Sequence, residues 1–204
     1  FICLEHILHM KIALIMQSFL VIITMLNSTF LLSQTKYEKE YRLKSSDVPQ
    51  QATQFVDSIT ADSKVKWYYE ENLLGNSIEA KFKFRGERYS VEFDTSGILQ
   101  DIEIEIDWAE IPALTRKNMS AGLDSAFLQH EIRRLQIQYS GDDLLLLDLL
   151  RGNQKLSGYT TKYEVVIKGK TQNGTNLYEV TFNESGTLEH VDRIIFKNSD
   201  NLEY

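Results

Sequence analysis

One phrase occurs twice in this chain. Tyr89-Ser-Val91-Glu-Phe93-Asp-Thr-Ser-Gly97-Ile-Leu99 returns as Tyr178-Glu-Val180-Thr-Phe182-Asn-Glu-Ser-Gly186-Thr-Leu188, each matched position lying 89 residues further on. Self-similarity at a fixed offset constrains the whole fold, because it makes the supersecondary unit the thing to be explained. In both copies the apolar residues alternate and a glycine follows a short polar run. That is the signature of a strand entering a hairpin turn with a positive-φ glycine.

The flanks extend the unit. Asp47-Val48-Pro49 reads as a helix start, with Asp47 as cap and Pro49 in the first turn. Ala52, Phe55, Val56 and Ile59 then fall on one helical face. Val65, Trp67 and Tyr69 alternate with Lys64, Lys66 and Tyr68, which places Tyr68 on the outward side. Ala80, Phe82 and Phe84 alternate with Glu79, Lys81 and Lys83. Asp101-Ile-Glu-Ile-Glu-Ile-Asp107 keeps a strict period of two, which predicts a sheet with one buried and one wet face, hence antiparallel. Ile111-Pro112 echoes Val48-Pro49. Met119, Leu123, Ala126 and Phe127 give a second helical face, and the strands around Leu135, Tyr163, Tyr178 and Val191 follow. Asp142 to Ser157 interrupts this second copy and carries the run Leu144 to Leu150. A segment apolar nearly all round is normally buried, so this run is read as core or self-association rather than a lipid contact.

The predicted organisation is therefore upstream residues and a secretory signal over 1–33, a linker or first edge segment over 34–46, a first repeat over 47–110, a second over 111–197 with its insertion at 142–157, and a tail over 198–204. The signal is read from Met10-Lys11 followed by apolar Ile12 to Met16 and Phe19 to Leu26, with cleavage placed near Ser33-Gln34. Gln17 and Ser18 interrupt the run, which argues against a retained membrane anchor. The single cysteine, Cys3, lies ahead of this cut, so the mature part has neither disulfide nor thiol nucleophile. A net charge of −7 argues against nucleic acid and anionic membrane surfaces as partners.

Val65-Lys-Trp67-Tyr, Glu79-Ala-Lys-Phe82, the phrase from Tyr89 to Gly97, and Asp101-Ile-Glu-Ile-Glu105 before a Pro-led helix resemble the PepSY-like family of secreted bacterial proteins, described as similar to β-lactamase inhibitor proteins. The resemblance covers residues 47 to 196. It implies an α+β fold: two tandem helix-plus-antiparallel-meander repeats forming a curved antiparallel sheet, with helices packed on one face. It further implies export to the periplasm or beyond, and no enzyme activity. Its motifs are core aromatics and turn glycines, so no site residue is carried over from the family.

Read on their own, the residues offer no catalytic signature. His130 and His190 are far apart, and no nucleophile elbow, metalloprotease motif or phosphate loop is present. No catalytic, cofactor or metal residue is assigned. The expected function is an exported non-enzymatic module that contacts a protein through its exposed sheet face. The contact residues expected are Asp101, Glu103, Glu105 and Asp107 with Lys81, Lys83 and Tyr68. Carboxylates two apart on a strand stand ~6.6 Å from each other, and a straight strand cannot wrap a calcium ion, which wants six to eight oxygens. The alternatives are an envelope sensor of a small ligand or cation, and an inhibitor of a secreted hydrolase.

Overall fold

The computed structural model describes residues 34–60, 62–72, 75–152 and 157–196; the signal and tail predicted at the two ends lie outside the described residues. Nine strands carry the fold: β1 (Gln34–Leu43), β2 (Lys66–Asn72), β3 (Gly75–Phe84), β4 (Glu87–Asp94), β5 (Leu99–Glu105), β6 (Gln129–Ser140), β7 (Thr160–Thr171), β8 (Gly174–Asn183) and β9 (Leu188–Phe196). Three helices interrupt them: α1 (Gln50–Ile59) before β2, α2 (Ala113–Ala126) before β6 and α3 (Asp143–Leu150) before β7. Every consecutive strand pair is antiparallel. β1 and β9 then pair in parallel, Gln34 beside Asp192 and Tyr37 beside Ile195, and the sheet closes into a barrel.

One side of every ladder is apolar and faces the helices. Trp67 stands opposite Ala80, Ala80 opposite Val91 and Val91 opposite Ile102. α1 lays Ala52, Phe55 and Val56 on this face. The Phe55 and Phe93 rings meet edge-on at 5.8 Å, a favourable aromatic geometry. α2 covers a second cluster through Met119 and Leu123, above Val165, Val180 and Phe182. Both helices begin after a proline whose fixed φ suits a helix entry, −54° at Pro49 and −53° at Pro112. The expectation of an α+β fold with helices on one face of the sheet holds.

Several local expectations are corrected. Residues 34–43 are strand β1 with neighbours on both sides, not a linker. Asp47 sits in a 3₁₀ turn over Ser45–Asp47 and does not cap α1, whose N-cap is Pro49. Asp107 lies beyond β5, where its side chain and that of Glu110 cap the 3₁₀ turn Trp108–Glu110 reciprocally. The leucine run forms α3, capped by Asp142, whose Oδ1 accepts from the Leu144 and Leu145 amides. Leu146 is fully buried in the core beneath α1, whereas Leu144 is 74% exposed. The insertion therefore lies after β6 in the chain but packs on the cluster that α1 covers.

The repeated phrase reports two turns of the same build. Asp94 Oδ1 accepts from the Ser96 and Ile98 amides, and Asn183 Oδ1 accepts from the Ser185 and Thr187 amides. Gly97 and Gly186 follow at φ +92° and +82°, a region that disfavours side chains. Each also tucks under the start of a helix. A Cβ on Gly97 would sit 2.7 Å from Pro49 Cβ, and one on Gly186 would collide with the Thr115 carbonyl oxygen. Gly174 shares the positive φ, yet a Cβ there meets nothing within 4 Å. Gly174→Ala is thus expected to cost about 1 kcal/mol for conformation alone. Gly186→Ala adds the collision and is expected to cost about 3 kcal/mol or more. Urea unfolding of the two variants measures the difference, and equal losses would sink the close-approach argument.

Candidate functional site

The side of the ladders away from the helices is polar and nevertheless buried. Glu79 is 5% exposed and Glu103 7%, while Ser90, Gln136 and Glu179 are also buried. Among the described residues the helices pack on the other, apolar face, and with the sheet closed these side chains line the lumen of the barrel. The expectation of one buried and one wet face is corrected accordingly: the face read as wet is sealed over much of its length.

Two clusters organise the lumen. In the first, Lys81 of β3 places its Nζ 2.9 Å from Glu40 Oε1 of β1 and 2.7 Å from Glu79 Oε2. Its ammonium also lies 4.9 Å from the centre of the Tyr68 ring, and the Arg42 guanidinium lies 5.1 Å from the same ring. Ser90 donates its hydroxyl to the other oxygen of Glu79. Burial alone would push the Glu79 carboxyl up, but Lys81 and the hydrogen bonds outweigh it, and Glu79 stays below the usual carboxylate range. Its neighbour Glu70, on β2, goes the other way. Burial and then the Glu79 charge raise it well above the ordinary value, and the two carboxyls are hydrogen-bonded.

The second cluster centres on Glu103 of β5. Gln136 Nε2 donates to its Oε2 at 2.7 Å, and Gln138 Nε2 donates to Glu164 Oε1 at 2.8 Å. Burial, then the charges of Asp101 and Glu92, push the Glu103 carboxyl up to about 8, against a smaller opposing effect of its hydrogen bond with Glu164. At neutral pH this side chain is therefore mostly protonated. Charged groups without adequate partners in a low-dielectric interior give up their charge in this way.

The seven residues expected at a contact surface divide between two places. Lys81, Asp101, Glu103 and Tyr68 face the lumen, where Tyr68 is 6% exposed rather than outward-pointing. Lys83, Glu105 and Asp107 come together at one end of the barrel. There they line a groove of about 370 Å³ with Arg88, Glu87 and Glu110, beside the β3–β4 hairpin tip at Gly86. Arg88 Nη1 lies 3.3 Å from Glu105 Oε2 across this groove. Lys83 continues the inward ladder of Lys81, and Glu105 that of Glu103, two residues nearer the strand ends. One stripe thus runs from a sealed interior to an open mouth.

Sequence reasoning missed Glu40, Glu70, Ser77, Gln136 and Glu164. The first stands in the segment read as a linker, and the others show only as the polar members of alternating strands. The available signal was their type: the lumen face takes Ser, Gln and Glu as well as Lys.

No family model matches the chain, and no curated protein matches it. It is similar to solved structures from Bacteroides. One is described as a BLIP-like protein from Bacteroides fragilis, with 15% identity over 76% of this chain and 91% of that chain, at a TM-score of 0.46. Two others are DUF2874 family proteins. The one from Bacteroides uniformis shares 12% identity over 72% of this chain and 89% of its own, at a TM-score of 0.49. The one from Bacteroides ovatus shares 9% identity over 72% and 87%, at 0.48.

Proposed function

We propose that this chain is an exported, non-enzymatic binding module that engages a protein through the charged groove at the mouth of the barrel. The observation that carries the reading is the convergence of Lys83, Arg88, Glu105 and Asp107 on that groove, while the acids deeper on the same stripe are sealed. The groove lining offers ammonium, guanidinium and carboxylate groups and one isoleucine. Mixed charge at an accessible rim suits a protein partner of complementary pattern, with recognition that weakens as salt rises.

Export rests on the segment from Met10 to Leu26 and places the module in the periplasm or outside the cell. We read α1 with β2–β5 and α2 with β6–β9 as two PepSY-like copies, to which β1 and the α3 insertion are additions. The matched turns at Gly97 and Gly186 support that reading.

A photo-crosslinking residue at position 88 tests the contact. The expected result is one dominant adduct in envelope extract, absent when the probe stands at exposed Leu114 on α2, and lost on combining Lys83→Glu with Glu105→Lys. Adducts of equal yield from both positions would sink the groove as the contact. Unchanged β-lactamase and protease rates with the purified chain would remove the inhibitory form of the reading and leave the binding form standing.

A further inference from the structure

Three carboxylates from three strands meet in the lumen, away from the groove. One oxygen each of Glu40 (β1), Glu70 (β2) and Glu79 (β3) lies within 4.8 Å of the other two. Glu40 stands directly opposite Glu70, and Glu70 directly opposite Ser77. Ser77 and Glu79 are two apart on β3, so both side chains take the inward face. Ser77 is 4% exposed, and its hydroxyl oxygen is buried with no hydrogen-bond partner among the described residues. A buried hydroxyl left without a partner is costly, and such groups in folded chains normally have an explanation.

Lys81 does not supply that explanation. Its ammonium is spent on Glu40 and Glu79, while Glu70 is held to Glu79 by a hydrogen bond, and none of these groups reaches the Ser77 hydroxyl. The spacing fits a larger demand. Oxygens bound to a calcium-sized ion at about 2.3–2.6 Å lie no more than about 5 Å apart, so the three carboxylates can close on one ion without moving the strands. Soft ligands are missing from the set, which selects hard cations over zinc or copper. A straight strand could not wrap an ion, but the closed sheet supplies the curvature by bringing three strands together.

We propose that Glu40, Glu70, Glu79 and Ser77 form a site for a hard divalent cation of the calcium class, with Lys81 as a tethered cation that competes for it. Metal entry releases the Lys81 ammonium from Glu40 and Glu79 and the proton of the Glu70–Glu79 hydrogen bond to water, and the Ser77 oxygen becomes a neutral ligand. The site is independent of the groove, so failure of either reading leaves the other intact.

Terbium luminescence on the full chain tests it, because Tyr68 lies beside the cluster and can sensitise a bound lanthanide. Saturable emission that calcium displaces is expected in the wild type. Lys81→Met is expected to tighten terbium binding by about tenfold or more, since it removes a like charge at contact distance. Glu40→Gln combined with Glu70→Gln is expected to abolish the saturable emission. Should that pair fail to fold, Glu40→Gln alone, at a partly exposed position, is expected to weaken binding about tenfold. Ser77→Ala is expected to weaken it several-fold. No saturable emission in the wild type and in Lys81→Met would overturn the proposal, as would emission that persists unchanged in Glu40→Gln.

Discussion

Raising the pH from 5 to 9 is expected to destabilise the fold steeply, and Glu103→Gln is expected to flatten that response. The Glu103 carboxyl sits at about 8 in the folded chain against an ordinary 4.5. Below the ordinary value both folded and unfolded chains hold the proton, and the group does not affect stability. Between roughly 4.5 and 8 the unfolded chain releases the proton while the folded chain keeps it, so stability falls by about 1.4 kcal/mol per pH unit. Above about 8 the loss levels off, at roughly 5 kcal/mol in all as an order of magnitude. The charged groups around Glu103 make the ionised form expensive: Asp101 on its own strand, Glu92 on β4 and Glu79 on β3. Raised Glu70 adds to the same trend. Lowered Glu79 opposes it at acid pH, since its contribution is lost only as pH falls through its folded value. Glutamine at 103 can still accept from Gln136 and can donate to Glu164, so the variant keeps its contacts without a titrating proton. Urea midpoints of both proteins at a series of pH values decide the matter. Parallel profiles for wild type and Glu103→Gln would rule out Glu103 as the source.

Phe93→Ala and Phe182→Ala are each expected to cost about 3–5 kcal/mol. Both side chains are fully buried, and they occupy matching places in the repeated phrase. Phe93 meets the rings of Phe55 and Trp67, and Phe182 lies beneath α2 near Gly122. They belong to different clusters, so the two losses are expected to add within about 0.5 kcal/mol. Their sum approaches the entire stability of a typical domain, about 5–15 kcal/mol, and the double variant is expected to be largely unfolded. Because one closed sheet carries both clusters, each single variant is expected to unfold in one cooperative step with an unchanged denaturant slope. A split transition, or a near-neutral Phe182→Ala, would show that the two clusters do not share the sheet's cooperativity.

The helices were legible because their signals are local. Ala52, Phe55 and Val56 declare a helical face within five residues, and Pro49 and Pro112 fix the entries through their own rings. The turns at Gly97 and Gly186 were legible for the same reason, since an Asp or Asn acceptor and a glycine within four positions specify the hairpin. Trp67, Val91 and Ile102 were placed on the apolar face by period alone. Asp107 was misplaced on a strand because the alternation of Asp101 to Ile106 runs on past the last ladder pair, and a capping box with Glu110 competes for the same residue. The linker reading of residues 34–43 failed because β1 has no clean alternation; its pairing with β2 and β9 holds it in the sheet.

By itself, the sequence determined which side chains share a face, where the helices begin and where the chain turns. Those properties follow from backbone periodicity and from single residues. Only the tertiary structure decided that the polar face is an interior. Closure depends on β1 finding β9 across most of the chain, and no local pattern encodes a pairing at that distance. The same stripe of acids and lysines is therefore solvated at Lys83 and Glu105 and sealed at Lys81 and Glu103. The physical difference is the dielectric: beyond the mouth water screens the charges, and within the barrel each charge must find a partner or be neutralised.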